Sequence, residues 1–335
     1  MLPVFLLSII VNAQESREPY INKSLAKEAI NSVFARTSGG SIQVMGVNAS
    51  EARIEVYITS NNKSISKEEI GKRLQDDYNL TVEVSGNKLT AVAEPKRGFN
   101  NWKQSLNVAY KIYVPVDVTT DLSTSGGGID LTNLKGSQNF STSGGGLSLN
   151  KISGKVRGKT SGGGITLEDC KEDIVLSTSG GGIRASSCSG TLRLNTSGGP
   201  IELDGLNGEI EAETSGGGIR GENIKGNLYA HTSGGTIKLR GVACGIDAST
   251  SGGSIDADIT EVVAAITLNN SGGNIHLKMP ANKGLNLRLR GDKISVSDLT
   301  NFTGDQDDNS ITGKVNGGGI PVNVSTNGNL TFALK

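Results

Sequence analysis

Aliphatic residues recur at fixed intervals through most of this chain. Counted from the threonine of each Thr-Ser-Gly-Gly phrase, the fifth following position is Ile129, Leu147, Ile165, Ile183, Ile201, Ile219, Ile237 and Ile255. Two places on stand Leu131, Leu149, Leu167, Ala185, Leu203, Gly221, Leu239 and Ala257. Three beyond those come Leu134, Ile152, Cys170, Cys188, Leu206, Ile224 and Val242, and pairs such as Ile174 and Leu176 or Ile210 and Ala212 approach the next threonine. Steps of two are strand periodicity, and the longer steps between groups mark corners. Each unit therefore predicts one coil of two or three short strand faces. The position between the first two aliphatic columns reads Asp130, Ser148, Thr166, Arg184, Glu202, Arg220, Lys238 and Asp256, polar and mixed in sign, which places it in water.

The phrase itself begins at Thr124, Thr142, Thr160, Thr178, Thr196, Thr214, Thr232 and Thr250, each 18 residues after the last. Its first two glycines are constant: Gly126 and Gly127, Gly144 and Gly145, Gly162 and Gly163, Gly180 and Gly181, Gly198 and Gly199, Gly216 and Gly217, Gly234 and Gly235, Gly252 and Gly253. The third is replaced by Pro200, Thr236 or Ser254. The first two positions are thus expected to require positive φ or close backbone stacking, and a β-branched residue at Gly216 or Gly217 to be among the worst substitutions. The threonine is expected to point inward, its hydroxyl bonded to a carbonyl. Uninterrupted repetition of this kind predicts an all-β fold, a parallel β-solenoid (β-helix) whose coils supply one another's core.

The flanks are less regular. Residues 14–117 predict a β-rich cap region with an early Thr-Ser-Gly-Gly at Thr37, a strand over Ala52–Thr59, a helix near 66–78 opened by the capping box Ser66-Lys67-Glu68-Glu69, and strands over Leu80–Val84, Lys88–Ala93 and Leu106–Val114. The repeats occupy 118–335, with irregular coils after 270, where Asn270-Ser271-Gly272-Gly273 follows Thr250 by 20 residues. Thr303–Ser310 reads as a protruding loop, Asn316–Ile320 as a restored turn, and Leu330–Leu334 as a final strand. The apolar run Leu2–Val11 with Val11-Asn12-Ala13 before Gln14 predicts a signal peptide over 1–13, hence export to the periplasm, the cell surface or the medium. No integral membrane segment is expected in the mature chain.

Lys+Arg and Asp+Glu both number 33 and are interspersed, which argues against a nucleic-acid backbone as partner. Cys170 and Cys188 lie one coil apart in the same inward column, a spacing compatible with a disulfide, while Cys244 reads as a turn residue. His231 and His276 have no cysteine at ligand spacing, and Asp305, Asp307 and Asp308 lack the oxygen-ligand order of a calcium loop, so no metal or cofactor is expected. Aromatic columns for stacking sugars are missing: Trp102 and Tyr110 fall in the amino-terminal region, and Phe140 and Tyr229 stand singly.

The repeated G-G-G-I-x-L followed by the next T-S-G-G, together with Thr37–Ile42, Ser66–Ile70 and Tyr110–Pro115, resembles the bacterial putative-adhesin or domain-of-unknown-function β-strand-repeat family, with its auto-transporter-adhesin-head-like relatives. The resemblance implies an envelope or surface location and brings no catalytic motif. An exported, non-enzymatic structural or interaction protein is the expected function, with an envelope protein or surface glycan as partner. The alternative is a polysaccharide-active enzyme on the same scaffold, using Glu202, Asp204, Glu211, Glu213 and Glu222 as an acidic patch.

Overall fold

The computed structural model describes residues 18–60, 65–96, 105–297 and 299–335. The predicted signal peptide and Trp102 lie outside the described residues. Among those residues the fold is all-β, with short strands in a parallel and mixed sheet and one small α-helix, Lys67–Asp77. Ser66 caps that helix as its sequence predicts, its hydroxyl accepting from the Glu69 N–H at 3.2 Å.

Through the repeats, each coil gives a short strand and a long one. Ile183–Ser186 pairs in parallel with Ile201–Asp204, which pairs with Ile219–Glu222. Ser189–Thr196 likewise pairs with Asn207–Thr214 and that with Lys225–Thr232. Every pairing joins residues one repeat apart, so the aliphatic columns become stacks. Ile201, Leu203, Leu206, Ile210, Ala212 and Thr214 are all buried, and each is worth its place only because the next coil covers it. The result is a solenoid-like stack with one hydrophobic core running from Leu25 to Phe332.

Two backbone positions in most coils adopt left-handed φ, and neither is in the glycine phrase. One column is Asn133, Lys151, Asp169, Ser187, Gly205, Asn223 and Gly241, with φ between 54° and 64°. The other is Gly136, Gly154, Glu172, Gly190, Gly208 and Gly226, with φ between 81° and 135°. These columns flank the lone inward residue, such as Cys188 or Leu206, and turn the chain around it. Positive φ in Thr-Ser-Gly-Gly was the wrong half of the sequence expectation: that corner needs glycine for close stacking alone. Glu172 is the non-glycine member of the second column. A side chain at such φ costs about 1–2 kcal/mol, so Glu172→Gly is expected to stabilise the protein by about 0.5–1 kcal/mol after the gain in unfolded-state entropy is subtracted. Chemical denaturation of the two forms measures it.

At both ends, chain order and stacking order part company. Ser32–Thr37 lies parallel between Lys88–Pro95 and Thr119–Thr124, and Ile42–Val47 lies parallel between Leu106–Pro115 and Ile129–Lys135. The early Thr37 phrase is therefore a coil of the same stack. The chain enters one coil in, runs outward through Arg53–Ser60, the helix and Tyr78–Ser85, builds the outermost coil, then returns to Thr119. Arg53–Ser60 and Tyr78–Ser85 cover that outermost coil in antiparallel pairing.

The carboxyl-terminal end uses the same device. Ile320–Thr326 and Asn329–Leu334 insert beneath Leu285–Arg290 and Lys293–Val296, which come earlier in sequence but lie farther out. Ser310–Val315 then closes the edge of Leu285–Arg290 in antiparallel pairing and is itself covered by Phe302–Gln306. The acidic stretch Thr303–Ser310 is thus mostly hairpin and not a protruding loop, because its backbone groups are the partners that keep this edge from pairing with another chain.

Candidate interaction face

Outward residues of the long strands form a continuous surface. Successive strands present Lys155, Arg157 and Lys159; Asp173, Val175 and Ser177; Thr191, Arg193 and Asn195; Glu209, Glu211 and Glu213; Asn227, Tyr229 and His231; Gly245, Asp247 and Ser249. Some of its charges are paired with the neighbouring coil. Arg157 donates to Asp173 at 2.9 Å and holds that carboxyl below its usual value. Arg193 stands 3.3 Å from Glu211, and Asn227 donates to Glu209 at 2.8 Å. Glu213 has no hydrogen bond or ion pair among the described residues.

Tyr229 lies beside these carboxylates and is 39% exposed. Its ring stacks on His231 with centroids 3.6 Å apart and planes at 24°. Ser249 Oγ and His231 Nδ1 are 2.6 Å apart, while Nε2 is buried without a hydrogen bond, 3.7 Å from the Asp247 carboxylate. Burial pushes the His231 imidazole below its ordinary value, and Asp247, Glu213 and Glu211 oppose the shift. The unfolded chain therefore takes up this proton first, near its ordinary 6.5. His231 adds no penalty above that pH, and stability is lost as pH falls below it toward the folded value. Thermal midpoints are expected to drop between pH 7 and pH 5.5, and to drop less in His231→Gln.

The coil that starts at Thr250 supplies a wall. Its two extra residues are taken up between Thr260 and Ala265, opposite a slip in parallel register between Arg240 and Val242. Val263 is 47% exposed there, and Ala264 and Ala265 bound a recess of about 820 Å³ together with Tyr229, Glu211, Glu213 and Asp247. Sequence reasoning passed over this place by treating Tyr229 as a single aromatic. The 20-residue interval was the available signal, since a break in a strict repeat must bulge somewhere.

The five acidic residues proposed as one patch are divided between two faces. Glu202, Asp204 and Glu222 border a smaller recess of about 280 Å³ on the short-strand side with Arg184 and Arg220, whereas Glu211 and Glu213 border the Tyr229 recess. A corner separates the two strands of each coil, so nearness in sequence does not become nearness in space. Arg184 donates to Glu202 at 2.8 Å, Arg220 lies 3.4 Å from Glu222, and Asn223 donates to Asp204 at 3.1 Å.

The eight threonines of the glycine phrase face inward as expected, all buried. Thr160 donates to the Gly145 carbonyl of the preceding coil at 2.7 Å and accepts from its own Gly163 N–H at 3.3 Å, and the other copies repeat this. Serines such as Ser161, Ser179 and Ser197 follow them on the exposed corner and border a shallow polar groove along the stack.

Cys170 and Cys188 are buried free thiols, and the Cys170 N–H donates to the Cys188 sulfur at 3.4 Å. Cys244 is not on a turn: it lies inside the strand Ile237–Thr250, fully buried, and burial pushes its thiol up to about 12. His276 is exposed on the opposite strand set, and no group of three or more His, Cys, Asp or Glu among the described residues could hold a metal ion. No helix among the described residues is long and apolar enough to cross a membrane.

No protein-family model matches the chain, and no curated protein matches it. Among solved structures, a "putative cell adhesion protein" from Clostridium sporogenes ATCC 15579 is similar in extent, covering 92% of this chain and 94% of its own. It is 11% identical with a TM-score of 0.22, a weak likeness from which nothing about function is carried over.

Proposed function

We propose that this chain is an exported, non-enzymatic β-solenoid that serves in the cell envelope or at the cell surface as an adhesin-like structural and interaction module. The observation that carries this is the surface of the stack. Charges on successive coils cancel in pairs such as Arg157 with Asp173 and Arg184 with Glu202, and the repeat departs from its rhythm beside an exposed tyrosine in a walled recess. A regular ladder whose rhythm breaks beside the Tyr229 recess suits holding a partner. Its partner is an envelope protein or a surface glycan, met along several coils at once.

The enzymatic alternative keeps one specific observation, the 2.6 Å approach of Ser249 to His231. That approach also follows from register alone, since the two residues are direct partners on adjacent strands. Pull-down from envelope extracts and glycan arrays test the interaction role, alongside ester and polysaccharide hydrolysis assays. Turnover that disappears in Ser249→Ala or Glu202→Gln would overturn the non-enzymatic assignment.

A further inference from the structure

Deepening that interaction role, and resting on it, we infer that the Tyr229 recess is a binding site for a lysine or arginine side chain on an extended segment of a partner protein. Three independent features meet there. The first is shape: the insertion at Thr260–Ala265 brings Ala264 and Ala265 to the edge of the long-strand face, where they line a recess of about 820 Å³. The second is an aromatic platform, since the Tyr229 ring is 39% exposed and held in place by its stack on His231. The third is charge. Glu209, Glu211, Glu213 and Asp247 line the recess against one cation, Arg193.

Arg193 is already spent on Glu211, with its second carboxylate, Asp173, outside the recess at 4.0 Å. Asn227 occupies Glu209 without neutralising it. Glu213 has no hydrogen bond or ion pair among the described residues, and the imidazole that approaches Asp247 is held toward its neutral form. Burial pushes the Tyr229 phenol above its usual value, and the carboxylates of Glu213, Asp247 and Glu211 add to it in the same sense, so their negative field is felt at the ring. An ammonium or guanidinium group answers that field and is attracted to the ring face, while its aliphatic stem finds Ala264 and Ala265. A carboxylate or phosphate would be repelled. A neutral sugar would find the ring but leave the field unanswered.

The test uses the full chain and an N-acetylated pentalysine peptide, with the same peptide acetylated on every lysine as an uncharged control of equal length. Pentalysine is expected to bind and the acetylated peptide to bind at least tenfold more weakly, with affinity falling as salt rises. Glu213→Gln and Tyr229→Ala are each expected to weaken pentalysine binding about fivefold to tenfold, whereas Glu202→Gln on the other face leaves it unchanged. Thermal midpoints of all variants establish that they are folded. Equal affinity in wild type, Glu213→Gln and Tyr229→Ala would overturn the site, as would binding of neutral oligosaccharides in preference to the peptide. Envelope pull-down separates the two levels: partners captured equally by wild type and both variants refute the recess and leave the interaction role standing, whereas no capture and no glycan binding by wild type refutes the role itself.

Discussion

Gly217→Val is expected to abolish cooperative folding of the central coils. A Cβ at Gly217 would stand 2.0 Å from the Gly199 carbonyl oxygen, 2.4 Å from its carbon and 2.6 Å from the Pro200 nitrogen. All three are backbone atoms of the preceding coil, so no rotamer change relieves the overlap. The coils would have to separate, and separation breaks the ladder on both sides of the corner as well as the bond from Thr232 to the Gly217 carbonyl. A destabilisation of roughly 4 kcal/mol or more belongs with the exceptional single-residue effects, and in a one-dimensional array it spreads to the coils that depended on this interface. Gly216→Ala is the control. Its Cβ would meet the Gly198 oxygen at 3.4 Å, an ordinary contact, and its φ is not left-handed. Urea unfolding followed by far-UV circular dichroism distinguishes them: a lost or broadened transition for Gly217→Val, and a midpoint close to wild type for Gly216→Ala.

The same column shows why glycine is demanded. Gly40, Gly127, Gly145, Gly163, Gly181, Gly199, Gly235 and Gly253 would each place a Cβ within 2.2 Å of a carbonyl oxygen one coil away. In the outermost coil the corresponding residue is Val108, whose carbonyl accepts from Thr37 at 2.7 Å. There a flat antiparallel strand covers the position, with Ile58 opposite Val108, and a β-branched side chain fits. The constraint therefore comes from the neighbouring corner and not from the local turn.

Much of this was legible in the sequence because an 18-residue repeat forces like residues into like environments. The columns through Ile183, Ala185, Cys188, Leu192 and Leu194 could be read from spacing alone, and so could the inward threonine. The two left-handed columns were harder to see. Asn133, Lys151, Asp169, Ser187 and Gly205 share a backbone conformation and no side-chain type, so composition hid them. The ends were illegible for a different reason. Spacing records order along the chain, whereas Ile320–Thr326 is stacked out of order, and a crossover leaves no periodic trace. The Tyr229 recess depended on a departure from the rule, the insertion near Val263, whose importance appears only when the coils on either side are stacked.

Thr196→Val is expected to cost about 2–4 kcal/mol, and Thr196→Asn to restore most of it. The Thr196 hydroxyl donates to the Gly181 carbonyl at 2.7 Å and accepts from the Gly199 N–H at 3.3 Å, so one oxygen joins two coils and closes its own corner. Valine keeps the shape and burial but removes the hydroxyl, taking that partner from a carbonyl and an N–H in a corner where the coils pack too closely for solvent to replace it. The natural chain already contains the rescue. At Asn270 the amide nitrogen donates to the Gly253 carbonyl at 2.8 Å, and its oxygen accepts from the Gly273 N–H at 3.0 Å. Asparagine thus reproduces both bonds with a different functional group, at a position that is itself buried. Midpoints in the order wild type, Thr196→Asn, Thr196→Val would show that the corner is held by this donor–acceptor pair. Equal midpoints for wild type and Thr196→Val would show instead that the coils are held by their aliphatic columns and the ladder alone.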